Sequence, residues 1–247
     1  MGGLEIITRK DLTRLSEFDY RSGAMVCIDK PLGWTSFQVV NKLRYVLSRH
    51  VGVKRLKVGH AGTLDPLASG LLLICTGKGT KQIQSFMGQE KEYLGELTLG
   101  ATTPSYDLET TIDQTYPTEH LSPRIIGDIA SDFIGEILQH PPIFSAKKRD
   151  GRRAYDSARA GKEIELAACP VTIHELEFNR IEMPQVEFRV RCGKGTYIRS
   201  LAHDIGKALK SGAYLSALKR TAIGQYDLED ALSVEEFCAA FRSLESP

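Results

Sequence analysis

The chain has 247 residues, 42% hydrophobic and 26% charged, with 32 Lys and Arg against 31 Asp and Glu. Such a length holds one large domain or one and a half, and such a composition is that of a globular chain, not a disordered or fibrous one. A formal net charge of +1 excludes binding of polyanions by bulk charge alone, and the longest apolar run, residues 71–75, is far too short to span a bilayer.

Cys27, Cys75, Cys169, Cys192 and Cys238 form no C-x-x-C pair, so neither a disulfide framework nor a zinc site is expected, and a reducing cytoplasm is the expected compartment. The N-terminus lacks the apolar stretch of a signal peptide. Residues 1–22 are mixed and polar and read as an extension ahead of the fold. Residues 24–28 read as a short strand. Thr35 or Ser36 can cap a helix running to about Leu47, with Phe37, Val40, Leu43 and Leu47 on its apolar face. A loop over 60–69 leads into a buried strand at 71–75. A short helix over 78–87, a strand over 91–99 and a loop over 101–107 follow.

Residues 123–133 read as helical, and His140-Pro141-Pro142 breaks the chain. From there to Arg153 the sequence is basic and irregular, and 154–160 reads as a short helix ended by Gly161. Strands are expected at 171–181 and 185–192. In the second, Val186, Phe188 and Val190 alternate with Glu187, Arg189 and Arg191, as a strand with one buried face requires. A helix ending near Leu209, an extended segment over 214–223 and a terminal helix over 233–241 complete the chain. Helices and strands mix without a βαβ rhythm, so the fold class is α+β.

The segment Gly59-His60-Ala61-Gly62-Thr63-Leu64-Asp65-Pro66-Leu67-Ala68-Ser69-Gly70 carries the chemistry. Its glycines permit tight bends, and Pro66 pushes Asp65 out of the helical region. One carboxylate therefore sits on a stiff loop beside a histidine. By itself, Asp-Pro is also an ordinary turn dipeptide.

The whole twelve-residue string resembles the motif around the catalytic aspartate of TruB-type pseudouridine synthases. Residues 28–36 (IDKPLGWTS) resemble the N-terminal motif of that family, and Lys91-Glu92-Tyr93 its tyrosine-bearing strand. Residues 142–148 with 154–159 resemble its RNA-contacting insertion, and 193–200 (GKGTYIRS) its last active-site motif. Residues 218–221 (LKRT) resemble the segment that follows. The likeness covers about residues 25–225.

The resemblance implies a pseudouridine synthase fold: a mixed, mostly antiparallel central sheet flanked by helices, with an RNA-binding insertion at about 140–168. It divides the chain into an extension (1–22), a catalytic domain (23–226) and a short helical tail (227–247). It implies isomerisation of a uridine of tRNA, position 55 in the T-loop, by base flipping and aspartate covalent catalysis, with no cofactor and no metal. The partner is the tRNA T-arm, and monomer is the default state. Asp65 is then the nucleophile, Arg199 the cation that keeps it ionised, and Tyr93 the residue that stacks on the base and takes the C5 proton. His60, Tyr197, Leu218, Lys30 and Asp107 would contact the substrate nucleotide. Lys147, Lys148, Arg149, Arg152 and Arg153 would meet phosphates.

Two departures stand out. The family usually has Thr-Asp-Thr ahead of a later Asp, whereas here Thr103-Pro104-Ser105-Tyr106 precedes Asp107. Residues 227–247 are also too few for the C-terminal PUA domain of many members. Three other readings remain: a non-catalytic RNA-binding or RNA-folding module on the same scaffold, a hydrolytic nucleoside glycosylase, and a guide-RNA-dependent relative.

The basic cluster generates a test. Charge reversal at Lys148 and Arg152 should weaken tRNA binding and flatten its salt dependence by about one log–log unit for each phosphate left unneutralised. An unchanged salt slope would remove the cluster from the interface.

Overall fold

The computed structural model describes residues 4–142, 148–149, 152–153 and 167–242. The expected helix at 154–160 and the side chains of the basic cluster, Lys147 included, lie outside the described residues. The chain forms two compact units, Met1–Glu92 with Lys219–Pro247, and Tyr93–Leu218.

In the first unit, strand Ala24–Lys30 is central. It pairs in parallel with Glu5–Ile7 and Leu232–Ser233 and antiparallel with Ala68–Thr76, which pairs in turn with Val58–His60. Alternate side chains serve opposite faces. Val26, Ile28, Leu72 and Ile74 pack on one face with Val40, Leu43, Leu47 and Phe237, while Cys27, Leu71, Leu73 and Cys75 pack on the other with Phe86 and Ile223. Burial on both faces explains why these strands read as unbroken apolar runs.

Helix α1, Ser36–His50, begins at the expected place. Thr35 Oγ1 accepts from the Gln38 N–H at 3.1 Å, and Gln38 Oε1 accepts from the Thr35 N–H at 2.7 Å, a capping box. The buried stripe differs from the expected one: Val39 joins Val40, Leu43 and Leu47, whereas Phe37 is 63% exposed. At ~100° per residue, positions 36, 39, 40, 43 and 47 share one face and 37 falls beside it.

The largest correction concerns the N-terminal segment. Residues 4–22 are built into the first unit: a strand at Glu5–Ile7, a 3₁₀ helix at Arg9–Glu17, and Ile7, Leu15 and Tyr20 fully in the core. Tyr20 donates to the Leu15 carbonyl at 2.7 Å. Its few apolar residues are spaced for a 3₁₀ turn and a three-residue strand, too short for periodicity to register. The C-terminal helix, Val234–Arg242, likewise closes this core through Phe237 and Phe241.

In the second unit, Cys169–Glu182 pairs antiparallel with both Gly135–Gln139 and Gln185–Cys192. Val186, Phe188 and Val190 are buried, and Arg189 and Arg191 reach Glu175 at 2.9 and 2.8 Å. The expected helix at 123–133 divides into an α-helical turn, Pro123–Asp128, and a 3₁₀ turn, Ile129–Phe133. Strand Gly135–Gln139, unforeseen from sequence, alternates half-buried and exposed residues and buries only the polar Gln139, so it offers no apolar face to detect. The expected loop after residue 100 holds a small hairpin, Ala101–Thr102 against Gln114–Thr115. Helix α2, Ile198–Ala208, and strand Ala213–Ile223 match their expected positions closely.

Gly70 shows how tightly the first unit is assembled. It lies within strand Ala68–Thr76 at φ +102°, and a Cβ there would strike the backbone of Arg220. Gly70→Ala should therefore cost more than about 2 kcal/mol in urea denaturation.

Candidate active site

The first unit presents Asp65 on a loop whose backbone is held at several points. Ser36 Oγ donates to the Leu64 carbonyl at 3.0 Å and accepts from the Leu64 N–H at 2.8 Å, tying the loop to the start of α1. The Gly33 N–H donates to the Pro66 carbonyl at 2.8 Å, and the Ala68 N–H to the Asp65 carbonyl at 3.1 Å. From strand Ala213–Ile223, Arg220 enters fully buried. Its Nε donates to the Leu71 carbonyl at 2.7 Å and its Nη2 to the Gly62 carbonyl at 3.2 Å. Both ends of the loop thus hang on one guanidinium. A buried cation is tolerated where its donors are satisfied, and it fixes the acceptors it engages.

Two further groups of this unit flank the loop of the half-buried Asp65 in sequence or in charge. Lys30 is fully buried, and its Nζ donates to the carbonyls of Pro31 and Trp34 at 2.9 and 2.5 Å. Burial pushes its amine down to about 8, with the Asp65 carboxylate pulling the other way. Lys30 therefore organises the turn before α1 rather than presenting a free ammonium. His60, at the end of strand Val58–His60, has its pKa lowered by burial first and by the Arg220 charge second. A neutral ring at pH 7 suits stacking better than ion pairing.

The second unit presents Arg199 in the first turn of α2. It is 5% exposed, with Nε 3.6 Å from Asp107 Oδ2 and Nη1 donating to the Ser105 carbonyl at 3.2 Å. Asp107 in turn accepts from the Glu109 N–H at 3.0 Å. One turn along α2, His203 stacks on Tyr106 with ring centroids 4.0 Å apart and 17° between planes. Tyr106 stands at φ +64°, a left-handed conformation that a bulky side chain adopts only when its surroundings impose it. The loop around Asp107 is thus clamped to α2 by an ion pair and a ring stack. Gln139 accepts the Tyr197 N–H at 2.7 Å through Oε1, and Ser200 donates to the His140 carbonyl at 2.7 Å, so the start of α2 is also tied to the end of strand Gly135–Gln139.

The sequence-expected residues divide between the units. Asp65, His60 and Lys30 gather in the first, and Arg199 and Asp107 in the second. In the second unit, Tyr93 is buried while Tyr197 and Leu218 are half-buried. Sequence reasoning names Ser36 only as a possible helix cap and does not single out Arg220, Tyr106, His203 or Gln139. Nothing local marks them, because each acts on a partner far along the chain. Among the described residues no cluster of His, Cys, Asp or Glu could hold a metal ion, and no helix is long and apolar enough to cross a membrane.

A family model described as "TruB family pseudouridylate synthase (N terminal domain)" matches residues 49–198. A second, "tRNA pseudouridylate synthase B C-terminal domain", matches residues 199–246. A protein of Flavobacterium johnsoniae named tRNA pseudouridine synthase B is 58% identical over 220 residues, which cover 89% of this chain and 96% of that one. Its namesake from Phocaeicola vulgatus is 56% identical over 219 residues, covering 89% and 93%. Among solved structures, a Cbf5-Nop10-Gar1 complex matches with TM-score 0.66 at 28% identity, over 95% of this chain and 63% of the matched one. An archaeal box H/ACA sRNP Nop10-Cbf5 complex gives the same TM-score at 24% identity, over 94% and 59%. These structures agree with the expected pseudouridine synthase fold.

The buried amine makes stability depend on pH. With its folded pKa depressed, Lys30 binds fewer protons in the folded than in the unfolded chain between pH 8 and 10.5, so its contribution rises with pH across that window. In urea denaturation the stability of the parent relative to Lys30→Met should therefore rise by on the order of 2 kcal/mol between pH 7.5 and pH 10, the difference cancelling the buried thiols and tyrosine that titrate in the same window.

Proposed function

This chain belongs to the TruB family of pseudouridylate synthases, and we propose that it isomerises the uridine at position 55, in the T-loop of tRNA, with Asp65 as nucleophile. It is a tRNA pseudouridine synthase, an isomerase. The observation that supports the Asp65 assignment is the loop itself: a carboxylate borne on backbone that the Ser36 latch and the Arg220 guanidinium hold in place. Such pre-organisation is what a group aimed at one carbon requires.

In the proposed reaction the target uridine first leaves its stack, at a cost of a few kcal/mol. The Asp65 carboxylate joins C1′ as the C1′–N1 bond breaks and N1 takes the bonding pair. The freed base turns within the pocket. C5 then attacks C1′ and displaces the carboxylate, the C5 proton leaves, and N1 gains a proton. Atoms and electrons balance within the nucleotide, so no external redox partner is consumed. Tyr93 stacks on the base and takes the C5 proton, Tyr197 and Leu218 line the pocket, and His60 fills the space the base has left. Arg199 supplies positive charge, oriented by Asp107. The basic residues from Lys147 to Arg153 meet phosphates. RNA recognition of this kind depends on shape and splayed bases. We also infer a cytoplasmic monomer, as suits an enzyme whose substrate is tRNA.

A tRNA transcript tritiated at uridine C5 tests this reading. Forming the new C–C bond must send the label to water. Release of one equivalent, without free uracil and with pseudouridine mapped to position 55, is the expected result. No release from any tRNA would leave a binding module, and free uracil would mean a glycosylase.

A further inference from the structure

The chain is almost balanced in charge, yet not one Asp or Glu occurs between Lys30 and Asp65. The same stretch carries six Lys or Arg: Lys42, Arg44, Arg49, Lys54, Arg55 and Lys57. It forms α1 and the turn into strand Val58–His60, and all six except the half-buried Arg44 are exposed. A solvated helix face ordinarily interleaves both signs, because i,i+4 pairs stabilise it and like charges do not. This one gathers cations and leads directly into the Asp65 loop, to which Ser36 ties its first turn.

The face is aromatic as well as basic. Between α1 and helix Val234–Arg242 lies a cavity of about 620 Å³ whose walls include Trp34, Lys42, Tyr45, Arg49, His50 and Phe241. Among the described residues, Glu235 is the one acidic residue lining it. Tyr45 is 60% exposed. Arg49 donates to its hydroxyl at 3.0 Å and stands 5.7 Å from its ring centroid, so a guanidinium and an aromatic ring are already held as one platform. Cations spaced along a helix beside aromatic rings at a cavity mouth match the chemistry of a single RNA strand: phosphates on Lys and Arg, a base against a ring. A lipid surface would use the charges but not the cavity, and an acidic peptide would have no need of the rings.

We propose that this face is a second RNA-binding surface, on which backbone phosphates of the tRNA lie over Lys42, Arg49 and the Lys54–Lys57 turn while one unpaired base enters the cavity between Trp34 and Tyr45. The proposal rests on the tRNA reading above and extends it to a part of the RNA beyond the reacting nucleotide. α1 is ~22 Å long, enough to follow several nucleotides.

The test is tRNA binding over a salt series, with every variant compared in an Asp65→Asn background so that turnover does not enter. Reversal of Lys42 and Arg49 to Glu should raise Kd at least about 10-fold and reduce the log–log salt slope by about 2. A Lys42→Ala, Arg49→Ala pair should move both in the same direction and guards against misfolding by the reversal. Tyr45→Ala should raise Kd at least about 5-fold with the slope retained, and should leave binding of heparin, a polyanion without bases, unchanged. Kd and slope within about 2-fold of the parent for both charge pairs would overturn the proposal. So would a Tyr45→Ala variant that loses heparin as much as tRNA. Failure of the enzyme reading would show separately, as tRNA bound by the parent chain without release of tritium.

Discussion

Arg220 is a full positive charge buried away from solvent, and the segment that carries Asp65 is organised by it. Burying a guanidinium is costly unless its donors meet acceptors, and here the acceptors are the carbonyls of Gly62 and Leu71, one on each side of the aspartate. The constraint works in both directions. The cation needs those carbonyls, and the loop cannot change shape without stranding the cation. Ser36 adds a reciprocal pair of hydrogen bonds to Leu64, the residue just before Asp65. A carboxylate on such a mount need not be gathered from many conformers when a nucleotide arrives, and the entropy of positioning has been met during folding.

The second unit uses the same device with the signs exchanged. Asp107 and Arg199 are both nearly excluded from solvent. A buried ion pair contributes little net stability, because desolvation offsets its attraction, but it fixes direction. Here it aims a guanidinium held at a second point by the Ser105 carbonyl. The Tyr106–His203 stack, formed at the expense of a left-handed tyrosine, presses the same loop onto the same helix. Strain and buried charge thus lie beside the residues assigned to chemistry, where local rules of propensity are expected to give way.

What is legible in the sequence follows the range of the interaction. A cap at Thr35 or Ser36, the alternation from Val186 to Val190, and the apolar runs at 24–28 and 71–75 are written within a few residues and can be read there, although the strands run on to Lys30 and begin already at Ala68. The 4–22 segment reads as a mere extension because Ile7, Leu15 and Tyr20 bury themselves singly, without a period. Phe37 reads as a core residue because a helical wheel assigns a face but not its edge. Arg220 stands out in the sequence only as part of a motif. Its burial beneath the Asp65 loop depends on a strand some 150 residues away meeting strand Ala68–Thr76, which no local pattern records. Asp65 stands out in the sequence through the length of its motif, whereas the pairing of Arg199 with Asp107 exists only in the folded chain.

The central claim is that this held carboxylate performs the isomerisation rather than merely shaping an RNA site. The most direct measurement is the single-turnover rate of pseudouridine formation by Asp65→Asn on an unmodified tRNA, with tRNA affinity measured on the same preparation. Binding should stay within about threefold of the parent and the rate should fall by at least ~10³-fold, as for loss of a nucleophile that no neighbour can replace. A rate within about tenfold of the parent would contradict that claim and move the chemistry to another residue.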